Sequence, residues 1–180
     1  MVRFEDLTGR LCARDVQFWV KQCVGAANDP QKESLFALAC CSDDRVVYNA
    51  LWVFTRLPKS DIIWLKPKYN CLVDMLMRTS HVGHKRLLLT LLEELPLDKD
   101  EVRGDFFDFC MRNINSTQPY AIRALSLKQA YRQGRFFPEL MAELQEEMAL
   151  MESGELSPGL RSALRIVRRL YNKVCQKQQA

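Results

Sequence analysis

The feature that most limits what this chain can become is a recurrence of apolar helix and proline with a period of roughly 37 residues. Leu57-Pro58 and Leu95-Pro96 stand 38 residues apart. Each pair closes an apolar run, Val46 to Phe54 in the first case and Leu87 to Leu92 in the second. All seven prolines can be set at helix boundaries: Pro30, Pro67, Pro119, Pro138 and Pro158 where a helix starts, Pro58 and Pro96 just past where one ends. At the first helical position proline gives up no needed N–H, whereas in mid-helix it costs about 3 kcal/mol. This distribution therefore admits many helices of medium length. A period of that size reads as stacked helix pairs, each too apolar on one side to stand alone.

The spacing predicts helices over 13–25 and 30–41, 43–57 with 67–79, 81–95 with 99–114, and 118–133 with 138–152. A capping helix covers 158–177, and Ser60 to Leu65 makes one extra turn. Short connections of this kind join antiparallel neighbours. On the last helix Leu160, Ala163, Leu164, Val167, Leu170, Tyr171 and Val174 form one apolar stripe opposite Arg161, Arg165, Arg168, Arg169 and Lys173. A helix docked on one side requires that pattern. Nothing alternates with period two over a useful length. The expectation is an all-α chain, a single domain over 1–180. It is built as a right-handed α-solenoid of four to five antiparallel hairpins, over 13–41, 43–79, 81–114 and 118–152 with the cap 158–177.

Three segments carry a resemblance: Asp44-Arg45-Val46-Val47-Tyr48-Asn49-Ala50-Leu51, Pro119-Tyr120-Ala121-Ile122-Arg123-Ala124-Leu125 and Pro158-Gly159-Leu160-Arg161-Ser162-Ala163-Leu164. Each resembles the first helix of a HEAT-like repeat, with a boundary residue leading into a small-large pair and often an Arg just before it. The resemblance spans 30–175. It implies a HEAT- or armadillo-like superhelix whose second helices line the concave side and serve as a binding scaffold without chemistry.

Charge is placed unevenly. Residues 154–180 hold six basic side chains and one acid, Glu155, whereas the whole chain carries a net charge of +4. The excess positive charge therefore lies on the last helix, where Arg161, Arg165, Arg168, Arg169 and Lys173 trace a ridge that Lys177 continues. That ridge is either an anion-binding edge or the solvated face of a capping helix beside the five glutamates of 137–152. The second helices become acidic towards the C-terminus, and nucleic-acid affinity needs positive charge. The favoured expectation is thus a protein or peptide partner, cationic in character, met by Lys68, Asp74, Arg78, Asp108, Arg112, Glu139, Glu143 and Glu147. The alternative is nucleic-acid binding through the basic ridge, or a HEAT-like DNA glycosylase in which Trp52, Trp64 and Asp61 grip the substrate.

No catalytic set stands out. There is no glycine-rich phosphate loop, no nucleophile elbow and no His-Glu-x-x-His. His81 and His84, the two histidines, lie three residues apart with no third ligand near in sequence. The expectation is no enzyme, no cofactor and no metal. Seven cysteines, odd in number and without a Cys-x-x-Cys, including Cys175 in the last helix, read as packing residues in a reducing cytoplasm. No apolar run approaches the length of a membrane span.

Overall fold

The computed structural model describes residues 1–152 and 154–178, with side chains as far as Val174. Among these, every regular element is helical. The chain divides into two compact units, Met1–Pro96 and Leu97–Ala180.

The first unit opens with a single 3-10 turn, Phe4–Leu7, and continues with α1 (Ala13–Cys23), α2 (Asp29–Ala39) and α3 (Asp44–Phe54). One further turn, α4 (Lys59–Ile62), runs into a 3-10 stretch, Ile63–Lys68, before α5 (Tyr69–Arg78) and α6 (Val82–Glu94). Helices α1, α3 and α6 lie side by side in one layer, and α2 and α5 back onto α3 and α6. The tight pairs, α2 with α3 and α5 with α6, are offset by one helix from the pairing of 43–57 with 67–79 read from the sequence. Connector length explains the offset. Only 40–43 separate α2 from α3 and 79–81 separate α5 from α6, whereas α4 and the 3-10 stretch intervene between α3 and α5.

Helix α3 forms the middle of its layer because its sequence is apolar on two sides. Val46, Ala50, Leu51, Val53 and Phe54 are fully buried, and each of these except the small Ala50 contributes about 1.5–3 kcal/mol through removal of apolar surface from water. Its start is fixed by Asp43, whose carboxylate accepts the backbone N–H of Arg45 and Val46, both at 2.9 Å. Asn49, buried, donates to the carbonyls of Leu7 at 2.8 Å and Gly9 at 2.9 Å, and so straps the N-terminal segment across α3.

The prolines sit largely as expected. Pro30 lies in the first turn of α2, and Pro58 precedes α4. Pro67 is the exception: it falls inside the 3-10 stretch, and α5 begins two residues later. The i→i+3 pattern of that turn tolerates the missing N–H there.

The second unit contains a 3-10 turn, Lys99–Glu101, then α7 (Gly104–Ile114), α8 (Tyr120–Gly134), α9 (Pro138–Glu152) and α10 (Pro158–Gln178). Helix α8 is its hub and packs on α7, α9 and α10. Gly134 lets the end of α8 meet α7 closely, since a Cβ there would lie 3.3 Å from Phe107 Cε2. The apolar stripe of α10 is buried at Leu160, Ala163, Leu164 and Val167.

Candidate docking groove

Helix α3 and the turn after it present one stripe away from the core: Arg45, Tyr48 and Trp52 on the helix and Arg56 two residues past its end, spaced three, four and four residues apart. Tyr48 and Trp52 are half-buried, their rings 6.2 Å apart, and the two arginines are exposed. Their neighbours on α6 are Arg86 and Thr90. Arg86 stands 38 residues after Tyr48, as Thr90 does after Trp52, so the repeat period itself sets these residues side by side. Arg86 Nη2 donates to the Tyr48 hydroxyl at 3.4 Å. Gly83, one turn earlier, makes room for the tyrosine ring: a Cβ there would lie 2.8 Å from Tyr48 Cε2.

Three open hollows meet along this stripe. The largest, about 590 Å³, is lined by Arg10, Asp43, Asp44, Arg45, Tyr48 and Trp52, with His81 at its edge. A second, about 300 Å³, lies between Tyr48, Trp52, Arg56, Arg86 and Thr90. A third, about 410 Å³, is bounded by Ala13, Gln17 and Val20 of α1 together with Trp52 and Arg56. Trp52 borders all three. The groove is polar at the Asp44 end, where acids and arginines mix. At the Trp52 end it is aromatic and basic, with no carboxylate in its lining. Among the described residues, the guanidinium groups of Arg10, Arg45 and Arg56 have no ion-pair or hydrogen-bond partner.

The walls of the groove are held by polar contacts. His84, buried on α6, donates from Nε2 to the Asp44 carbonyl at 2.8 Å. A carbonyl only accepts, so that nitrogen carries the proton of a neutral ring. Burial lowers the His84 pKa from its ordinary value, against the opposing pull of the Asp44 bond. His81 caps α6 through Nδ1, which accepts the His84 N–H at 3.3 Å, and its ring stacks on His84 at 4.1 Å.

Behind α3, at the far end of the unit, Lys32 is buried with Asp61: Nζ to Oδ1 is 2.9 Å. The same nitrogen reaches Asp29 at 3.0 Å and the Gly25 carbonyl at 3.1 Å. Gly25 has φ +88°, a conformation open to glycine, and its N–H donates to Asp61 at 2.7 Å. The Lys32 bond holds the Asp61 carboxyl below its usual range in spite of burial, and the Gly25 amide adds to the effect. Burial alone would lower the Lys32 pKa, but its bonds to Asp61 and Asp29 outweigh that and hold it high.

Residues 4–170 match the family described as the HEAT repeat domain. The chain belongs to the HEAT repeat family. Neither a curated protein nor a solved structure matches it. HEAT repeats and related solenoids commonly supply extended surfaces on which other proteins dock. None of the described helices is long and apolar enough to cross a membrane.

The HEAT chain distributes the eight residues expected to meet a partner between its two units. In the first, Lys68 is occupied: it bonds both Glu33 oxygens at 3.1 Å and lies 4.7 Å from the Trp64 ring and 4.8 Å from Phe36. Asp74 is half-buried and Arg78 is exposed. In the second, Asp108, Arg112, Glu139 and Glu143 are exposed, while Glu147 is half-buried and bonds Asn115. Of the basic ridge, Arg161, Arg165, Arg169 and Lys173 are exposed, and Arg168 pairs with Glu152 at 3.0 Å. Arg165, Arg168, Arg169 and Lys173 line a shallow hollow of about 400 Å³. The side chains of Cys175 and Lys177 lie outside the described residues.

The grip of Trp52, Trp64 and Asp61 on a substrate has no geometric support. Asp61 is spent on Lys32, and Trp64 stacks on Phe54 at 6.3 Å as a cover under Lys68. Tyr48, Arg56 and Arg86 went unnoticed as a group in the sequence. Their signal lies in the 3-4-4 spacing of Arg45, Tyr48, Trp52 and Arg56 along α3 and the turn after it, echoed by Arg86 one period after Tyr48.

Proposed function

We propose that this chain is a non-catalytic docking scaffold for a protein partner, and that the groove on α3 and α6 receives an acidic segment of it. The observation that carries the reading is the pairing of Tyr48 and Trp52 with Arg45, Arg56 and Arg86, two of these arginines, Arg56 and Arg86, lining the Trp52 end where no carboxylate stands. Trp, Tyr and Arg are the side chains that most often concentrate binding energy at protein interfaces. Unpaired guanidinium groups beside an aromatic surface favour carboxylates. An acidic segment can seat its carboxylates at the Trp52 end alone, whereas a nucleic-acid strand would carry regularly spaced phosphates past Asp43 and Asp44 in the widest hollow as well.

A second surface has its own observation. Leu150 is 61% exposed on α9 among the acids of that helix, Glu139, Glu143 and Glu147 among them. An apolar side chain one turn from Glu146 and Glu147 suits the cationic partner expected from the sequence, with Asp108 and Arg112 of α7 in the same unit. The anion-binding role of Arg161, Arg165, Arg168, Arg169 and Lys173 stands behind both, since Glu152 already draws on Arg168. The unpaired thiols suit a reducing, cytoplasmic setting.

Fluorescence anisotropy of labelled peptides tests the reading. A Glu- and Asp-rich peptide with one central aromatic residue should bind, and Arg56→Glu with Arg86→Glu should release it. Equal binding of that peptide by the double variant, or preference for an oligothymidine strand, would overturn it.

A further inference from the structure

A group of sulfur atoms lies on the first unit, in contacts separate from the groove. Cys40 closes the C-terminal end of α2, its N–H bonded back to the carbonyls of Phe36 and Ala37. Cys71 and Met75 stand four residues apart on α5, and therefore on one face of that helix. The Cys40 thiol lies 3.8 Å from the Met75 sulfur, and the Cys71 thiol stands one turn before Met75 on the same face of α5. Both thiols are free and exposed, while Met75 is half-buried. Cys41, next in the chain, turns away, its sulfur 3.9 Å from the Asp43 carbonyl.

We propose that Cys40, Cys71 and Met75 form a binding site for a soft monovalent metal ion, Cu(I). Two thiols and a thioether from two helices meet around Cys40, and soft sulfur donors of this kind select Cu(I). Zn(II) takes four donors from Cys, His or carboxylate in its structural sites. Among the described residues, no group of three or more such side chains gathers to hold a metal. A harder divalent ion therefore finds too few ligands here, whereas Cu(I) accepts a thioether. Binding exchanges two S–H protons for one metal ion and needs no redox step. The product carries one net negative charge.

The test is competition between the intact, fully reduced chain and bicinchoninate for Cu(I) under anaerobic conditions. The chain should withdraw one equivalent of Cu(I). Cys40→Ser and Cys71→Ser should each weaken capture by about 100-fold or more, and Met75→Leu by about tenfold, as expected for loss of a soft ligand. Cys41→Ser should capture as the parent does. Both cysteines are exposed, so serine there leaves the core intact, and Met75→Leu keeps the volume while removing the sulfur. Retention of all Cu(I) by bicinchoninate would overturn the proposal. So would capture that survives both Cys40→Ser and Cys71→Ser, or Zn(II) binding as tight as Cu(I).

Discussion

Trp52 borders all three hollows of the groove, and its replacement is the most telling single change at residue scale. Trp52→Ala should cost about 2 kcal/mol of acidic-peptide affinity, roughly a 30-fold loss by anisotropy, as for an interface anchor. A loss under twofold would remove Trp52 from the binding surface. Lys32 and Asp61 define the opposite kind of residue, buried and structural. Asp61→Ala leaves a buried ammonium short of its closest carboxylate, so urea unfolding should show a loss of about 3–5 kcal/mol. The sign with pH follows from the lowered Asp61 pKa: the unfolded chain binds the proton more readily. The pair's contribution is complete above the ordinary carboxyl value of 3.8 and vanishes as pH falls through the lowered one. The sequence around Asp61 and Trp64, offered as substrate-gripping residues, holds no sign that either is already engaged. Lys32, 29 positions away, is what buries the first, and Phe54 is what covers the second. Contacts of that range leave no local trace in a sequence.

At the scale of elements, the helix boundaries were the most legible part. The expected 81–95, 138–152 and 158–177 appear as Val82–Glu94, Pro138–Glu152 and Pro158–Gln178. Proline and capping residues act locally, so a chain displays them openly. The pairing of helices was less legible, because α4 and its 3-10 extension lengthen one connector without changing the apolar pattern. Two predictions belong here. Gly83→Ala should barely move the unfolding midpoint, since the helix propensity gained, about 1 kcal/mol, offsets the crowding of Tyr48. It should nonetheless weaken acidic-peptide binding several-fold, because the Tyr48 ring must move. Unchanged affinity would show that Tyr48 is no part of the surface. His84 links α6 to α3 while neutral. Its folded pKa lies below the ordinary 6.5, so the unfolded state takes up the proton first. Stability should therefore decline as pH drops from 7 through 6.5 and below, by at most about 1.4 kcal/mol per pH unit for one proton. A urea midpoint that stays level from pH 7 to pH 6 would contradict this.

For the whole molecule, the period of proline and apolar helix announced an all-α repeat protein, and the HEAT family match over residues 4–170 agrees with it. The binding surface was harder to read. Charges summed helix by helix drew attention to α9 and α10, where they are most numerous. The groove depends instead on which helices share a layer, and the layer of α1, α3 and α6 exists only once they are packed. Within it, a few arginines gain weight from two aromatic neighbours and from the absence of acids at one end. The most direct measurement is selection of binders from a random peptide library on the intact chain and on its Arg56→Glu, Arg86→Glu variant. The parent should enrich peptides rich in Asp and Glu around an aromatic or apolar residue, and the variant should not. Enrichment that persists in the variant, or binders with no acidic bias, would contradict a docking groove on α3 and α6.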